Sequence, residues 1–451
     1  MRIERRVCEP GGGAPAVTRR AIVARMAGGS GAGAIAVLAM ACGQGQSSGS
    51  STASTASGQI TFLGRESGSE VAVYKQGIEQ FNASQPRVRV THELATGNFD
   101  QKLQTLVAGG TPPDAHYMHS QTVPTYVSLG VPASLDAYNR KEKALDGLLP
   151  TALDSYRFKG SAYGVPDVAT SYVMYINRAL FAQIGLPIPN EKWTWTDYTN
   201  AAQRIVNAAR GQEMFATANY VADDSWPNVL WQNGADVLNK DRNAVTIDRP
   251  EAVDALTWIA DQITKSRVHP APADLAGKSA EQFFLDGKAA MLPIYSSRMG
   301  NIAKGAQFEV ETVHLPQGKQ RVNRTACGGS AMTKGGKNPD AAWQFVKYVA
   351  GEDFQWLMAK VGGIIFPAHK KVAESPELFA SGQFTKSPKV TVDAMSYART
   401  EPYVPRYLDL KAAIVKELAT IWNGQSSVKD ALTRAKAVAD PILADGLSQI
   451  K

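Results

Sequence analysis

A chain of 451 residues exceeds what one ordinary hydrophobic core holds, so at least two lobes are expected. Its net charge of +7 belongs largely to the amino terminus: residues 1–41 carry six Arg and two Glu, and without them the balance falls to +3, which removes most of the support for nucleic-acid binding. Of three cysteines only Cys42 and Cys327 follow residue 41, too few for a disulfide framework once Cys42 is modified.

The first 41 residues are Arg-rich, then small and apolar from Gly33 to Ala41. That apolar stretch is far short of the roughly 20 residues a membrane-spanning helix needs, so it reads as a cleaved leader. Ala39-Met40-Ala41-Cys42 has the form of a lipobox, which makes Cys42 the lipidation site. Residues 42–58 are nearly all Ser, Gly, Thr, Ala and Gln, a flexible tether with nothing to bury. The G-x-S-x-G spelling at Gly45–Gly49 lies inside this tether, with no strand or helix to present a nucleophile.

Beyond the tether the periodicity predicts β-α-β-α-β. A strand runs from Gln59 to Gly64, a helix turns Val71, Tyr74, Ile78 and Phe81 inward, and a strand from Arg87 to Leu94 alternates Val88, Val90 and Leu94 against charged neighbours. A helix with Phe99, Leu103, Leu106 and Val107 leads to a third strand, Asp114 to Met118. This order predicts a mostly parallel sheet flanked by helices, with ligands bound beyond the carboxyl ends of its strands. Tyr163-Gly164-Val165-Pro166 is a tight turn, and Tyr172 to Ile176 is an apolar run suited to a strand buried on both faces. Asn177 caps a short helix, and Thr194 with Asp197 forms a capping box for the next. Phe283 to Met291 reads as a helix, a glycine stop and a strand. The tail is helical by pattern, with Ile414, Leu418 and Ile421, then Val428, Leu432 and Ala435 inward.

The stretch from Tyr163 to Ala209 resembles the signature region of the family 1 extracellular solute-binding proteins, the sugar-binding components of ABC importers. There a YG-x-P turn precedes a strand ending in Tyr-Asn, a short helix and a Trp-Thr-Trp helix start; Ile176 departs from it where the family has Tyr. GTPPD at Gly110–Asp114, Phe283 to Met291, Cys327-Gly328-Gly329-Ser330, Pro339 to Val346 and Gly362-Gly363 to Pro367 match further family elements. The resemblance implies a maltose-binding-protein-like α/β fold of two lobes, a type II periplasmic-binding-protein-like fold. Each lobe would hold a mostly parallel sheet, and the lobes would be hinged by crossings near Pro166, Cys327 and Gly362. It places one lobe at 59–167 plus 327–362 and the other at 168–326 plus 363–451.

A sugar offers hydroxyls and an apolar ring face, so its site needs planar hydrogen-bonding groups and flat aromatic walls. Trp226 and Trp231 are the aromatic candidates, although large aromatics serve a core equally well. Glu66 and His119 project from strand-end loops, and Asp114 stands at a strand start where a carboxylate holds either ligand or backbone. Arg298 occupies a place where the family commonly carries a binding Trp, and in a cleft it favours neutral or acidic sugars. Gly328 and Gly329 admit backbone N–H groups close to a ligand or serve a hinge. The resemblance adds Tyr403 and Arg406, on a loop between Pro402 and Pro405. Asp223-Asp224 is the closest carboxylate pair near aromatics, but neighbours on extended chain point apart. His116 and His119, three apart on a strand, face opposite sides and do not make a metal site; no metal and no cofactor are expected.

The expected function is extracytoplasmic, lipid-anchored capture of a sugar or oligosaccharide and its delivery to an ABC permease, by a monomer that is not an enzyme and binds no nucleic acid. Two alternatives remain open. One is the same fold holding a polyol, sugar acid, polyamine or other non-sugar solute. The other, ranked behind it, is a surface glycoside hydrolase, which needs two carboxyl groups about 5–10 Å apart across the cleft.

Overall fold

The first sheet grows from the amino-terminal β-α-β-α-β run. Strands β1 (Gly58–Arg65), β2 (Val88–Ala95) and β3 (Ala115–Tyr117) are parallel, joined through the helices Glu70–Ser84 and Phe99–Ala108. The computed structural model describes residues 56–66, 70–210, 213–222, 224–361, 366–380 and 384–450, so the leader, Cys42, Asp223, Gly362 and Gly363 lie outside the described residues. A small hairpin of β4 (Arg157–Phe158) and β5 (Ser161–Ala162) precedes β6 (Val165–Pro166), which joins the first sheet at its edge.

After three linking residues beyond Pro166 the chain enters β7 (Thr170–Asn177), the centre of a second sheet built with β8 (Phe215–Thr217), β9 (Ala289–Tyr295), β10 (Val310–Val313) and β11 (Asn323–Ala326). From β11 it returns directly to the first sheet as β12 (Gly329–Met332), and β13 (Ala398–Arg399) later closes the second sheet beside β11. The orders are β2-β1-β3-β12-β6 and β13-β11-β7-β9-β8, with β10 also paired to β7.

The two-lobed α/β class stands, but the sheets are mixed instead of mostly parallel. β12 runs antiparallel to β3 and β6, and β7 runs antiparallel to β9, β10 and β11. The reason is connectivity. Parallel neighbours need a crossover of a dozen or more residues, whereas here the chain passes straight from strand to strand between the sheets, out through β6–β7 and back through β11–β12.

Strand β7 is buried on both faces, as its apolar run requires. Its alternation divides it between two cores. Tyr172, Met174 and Ile176 join a core with Trp226, Trp231 and the helices Tyr407–Trp422 and Val428–Ser448, while Val173 and Tyr175 face Phe284, Leu292 and Met299. The first sheet has its own core, with Ile60, Phe62, Val88 and Val90 packed on Trp343 and Phe345. Both predicted caps form: Asn177 accepts from the Leu180 N–H at 3.0 Å, and the Thr194–Asp197 box is closed from both sides. In β2 the alternation ends early, since Leu94 is 44% exposed and Ala95 takes the buried place.

The return crossing leaves no room for a side chain at its mouth. A Cβ on Gly329 would stand 2.1 Å from the Val165 carbonyl oxygen and 2.6 Å from the Tyr156 hydroxyl. Neither neighbour yields cheaply, because one is sheet backbone and the other donates to the Met118 carbonyl at 2.7 Å. Gly329→Ala is therefore expected to cost about 3 kcal/mol by overpacking, read as a lowered urea midpoint at unchanged slope. A variant as stable as the natural protein would contradict this.

Candidate functional site

The carboxyl end of β1, the end of β3, both crossings and the end of β9 converge on one cavity of about 210 Å³. Arg65 and Tyr117 line it from the first sheet, Asp167, Val168 and Gly328 from the crossings, and Thr170, Tyr295 and Ser297 from the second. A neighbouring cavity of about 480 Å³ shares Arg65, Tyr117 and His119 and extends over Glu66, Asn98, Asp100 and Gln121 to Leu408. Together they form a polar groove bounded by both sheets, of the size small ligands occupy.

Arg65 ends β1 with its guanidinium 5.5 Å above the Tyr117 ring and 3.4 Å from Glu70 in the first turn of the following helix. Its charge is thus matched at the groove wall. Asp167, in the outward crossing, is buried, and Tyr74 donates to its Oδ2 at 2.6 Å. Burial pushes the Asp167 carboxyl up to about 7, and the nearby Glu70 charge acts in the same direction. His119 follows β3, and its Nδ1 accepts from the Gln121 N–H at 3.3 Å. Burial, with Arg324 and Arg65 adding to it, holds His119 down to about 4, so it is neutral at neutral pH.

Behind the second-sheet wall lies a buried ionic cluster. Nε and Nη2 of Arg324, on β11, reach Glu401 Oε1 at 2.6 and 2.5 Å, and Nη1 lies 2.8 Å from Asp224. Lys411 joins Glu401 at 2.7 Å and Asp224 at 3.4 Å, while Tyr407 donates to Glu401 Oε2 at 2.9 Å. Two cations thus face two carboxylates in balance. Three of the four side chains are buried and only Asp224, at 44% exposure, opens outward.

A family profile described as "Bacterial extracellular solute-binding protein" matches residues 76–391, well over half of the chain. The chain belongs to that family. Among solved structures this solute-binding protein resembles the ABC substrate-binding protein Lmo0181 from Listeria monocytogenes in complex with cycloalternan, with a TM-score of 0.75, 25% identity and coverage of 86% and 99% of the two chains. It is 26% identical over 202 residues to the arabinooligosaccharide-binding protein of Halalkalibacterium halodurans, covering 44% of each chain. To the sn-glycerol-3-phosphate-binding periplasmic protein UgpB of Rhizobium meliloti it is 23% identical over 313 residues, 64% of this chain and 70% of that one.

Of the residues singled out from sequence, the solute-binding protein brings Glu66, His119 and Gly328 to the groove. Glu66 accepts from the Gly97 N–H at 3.2 Å. The others stand elsewhere. Trp226 and Trp231 are each 1% exposed in the core beneath the second sheet, with Trp231 Nε1 bonded to Asp236. Asp114 spends Oδ2 on the Thr61 N–H at 2.9 Å and Oδ1 on the Asn338 N–H at 3.0 Å, so it holds backbone. Arg298 is clamped by Glu281 at 2.6 and 3.0 Å, and Arg406 pairs with Asp409 and Asp445. Gly329 is buried under Tyr156, and the Tyr403 hydroxyl accepts from Arg324 at 3.3 Å. Of the paired residues Asp223-Asp224, Asp224 belongs to the ionic cluster and Asp223 lies outside the described residues.

Among the groove residues that the sequence reading does not single out are Tyr117, Asp167 and Tyr295. Each sits within three positions of a candidate residue or motif: between His116 and His119, after the Pro166 turn, and three before Arg298. The available signal was position at a strand end, which weighs more than residue size.

Opposing effects meet in the Glu401 carboxyl. Burial raises it, Arg324 and Lys411 lower it, and the net direction is down; Asp224 behaves likewise. A carboxylate held low in the folded state contributes stability that is complete above its unfolded value, about 4.3. That contribution is lost as pH falls through the lower folded value. Glu401→Gln, which leaves Arg324 undercompensated, is expected to cost about 3–5 kcal/mol at pH 7. It is also expected to flatten the loss of stability between pH 5 and 3. Chemical denaturation across that range checks both, and a cost below about 1 kcal/mol would contradict the assignment.

Proposed function

We propose that this solute-binding protein is the substrate-binding component of an ABC importer, holding a neutral sugar or oligosaccharide between its lobes and handing it unchanged to the membrane permease. The observation that carries this reading is the character of the groove. Tyr117 and Tyr295 supply ring faces, while Asp167, His119, Ser297 and Gln121 supply hydrogen-bonding groups. Neutral hydroxyls need such partners, and sugar rings need such walls.

The binding proteins for cycloalternan and arabinooligosaccharides named above support the carbohydrate class, and that for sn-glycerol 3-phosphate supports the non-sugar alternative. Charge separates the two. Arg65 is matched by Glu70, and Arg324 by Glu401 and Asp224, while Arg298 is drawn off by Glu281. A phosphate or carboxylate would have to compete with these carboxylates for cations whose charge they already offset, so a neutral ligand fits better than an acidic one. Catalysis is not part of the proposal: Glu70 is tied to Arg65, and Asp167 is held by Tyr74.

The proposal extends to lobes at 59–167 plus 327–362 and 168–326 plus 363–451, which close about the crossings because only the closed form offers both walls at once. A lipid on Cys42 and the tether of residues 42–58 would keep a monomeric carrier near its permease while letting it search.

Thermal unfolding of the full chain against neutral oligosaccharides, sugar acids and glycerophosphodiesters tests the reading. A neutral saccharide at 100 times its Kd is expected to stabilise the protein by about 2.7 kcal/mol, raising Tm by several degrees. Stabilisation by the acidic ligands alone would overturn it.

A further inference from the structure

Among the described residues, two buried polar atoms in the smaller cavity have no hydrogen-bond partner, and they come from different walls. One is Asp167 Oδ1, on a residue 1% exposed; the other is the hydroxyl of Tyr295. We propose that Asp167 and Tyr295 are the pair that fixes one hydroxyl-bearing ring of the ligand at the groove floor, and that the ligand donates its hydroxyl to the Asp167 carboxylate. This rests on the carbohydrate reading above and gives it specific residues.

The Asp167 carboxyl is fixed in place. Its backbone N–H donates to Gly328 at 3.0 Å, and its Oδ2 accepts from Tyr74, whose hydroxyl also meets Ser330 Oγ at 2.7 Å. The other oxygen, Oδ1, is buried without a partner among the described residues, and glycine at 328 keeps a side chain away from it. A Cβ there would stand 3.1 Å from Oδ1 and 2.9 Å from the Tyr117 hydroxyl. Tyr295 is held by Tyr172 at 4.7 Å, edge to face, and by the Arg324 guanidinium 5.3 Å over its ring. An acceptor on one side and a phenol that donates or accepts on the other suit a sugar hydroxyl, which does both. A phosphate, an acceptor only, would meet the Asp167 carboxylate with like charge.

A proton is linked to this contact. Asp167 is pushed up to about 7, so the free protein holds it partly protonated at neutral pH, and a donated hydroxyl favours the carboxylate. The groups facing it are Glu70 and Tyr74 on the helix Glu70–Ser84, Tyr117 on β3, Tyr156 ahead of β4, and Cys327 on the return crossing. The three tyrosines are raised and Cys327 is pushed up to about 11, while His119 is held down to about 4. Neither the three tyrosines, nor Cys327, nor His119 changes charge between pH 6 and 8. If binding favours the carboxylate by about one unit, affinity at pH 8 is about fivefold that at pH 6, and about 0.4 proton is released per ligand at pH 7.

Isothermal titration of the full chain with maltotriose, an arabinotriose and glycerophosphocholine, at pH 6 and pH 8, tests the pair. For the saccharide that binds, Asp167→Asn and Tyr295→Phe are each expected to weaken affinity at least fivefold. The pH ratio should persist in Tyr295→Phe and vanish in Asp167→Asn. Should a variant fail to fold, titration of the natural protein in two buffers of different ionisation enthalpy counts the proton directly. Saccharide binding that is independent of pH, releases no proton and is unchanged by either substitution would overturn the inference while leaving the carbohydrate reading intact. Binding of glycerophosphocholine alone, or of none of the three, would sink that reading and the pair with it.

Discussion

Two short crossings, lying side by side and running in opposite directions, organise this molecule. The outward one joins β6 to β7 through Asp167 to Ala169, and the returning one joins β11 to β12 through Cys327 and Gly328. They pair along their length: Ala326 with Thr170, the Asp167 N–H with the Gly328 carbonyl, and Gly329 with Pro166. Because the ribbon spans both sheets, whatever stands on its open side becomes the groove floor. That places Asp167, Val168 and Gly328 there as a consequence of backbone pairing. It also accounts for the antiparallel pairing of β12 with β6 and of β11 with β7, since strands leaving and re-entering side by side run opposite to one another.

Above that floor the structure keeps its charges to itself. Arg324, Glu401, Lys411 and Asp224 neutralise one another behind the wall, and Arg65 is neutralised by Glu70 at the rim. A buried pair of this kind adds little net stability over an apolar replacement, but removing one member is costly. Its effect on function is to give the groove hydrogen-bonding groups and ring faces while leaving no spare cation among the paired residues. The proposed ligand class rests on this matching more than on any single residue.

The elements were legible because local patterns carried them. The apolar run of β7, the caps at Asn177 and Thr194, and the stripe on the helix Tyr407–Trp422 all depend on spacing of a few residues, and all formed. The pairing of strands far apart in the chain, such as β12 with β6, left no local trace, so the mixed sheets were missed. The site was legible only in part, for a related reason. Trp226 and Trp231 drew attention by size, yet size favours burial, and both went to the core. Arg298 lies close in sequence to the groove residue Ser297, but Glu281, seventeen positions upstream on another element, turned it away. Asp167 needed the reverse insight, since its proposed role comes from distant residues: Tyr74 holds Oδ2, and Oδ1 is left without a partner beside Gly328.

The reading therefore stands on where a ligand sits relative to the ribbon. A crystal structure of the protein with its tightest-binding neutral saccharide tests this most directly. The expected result is a sugar ring bounded by Tyr117 and Tyr295, with a hydroxyl within hydrogen-bond distance of Asp167 Oδ1 and both sheets in contact with the ligand. A saccharide bound to one sheet alone, away from the crossings, would contradict the account.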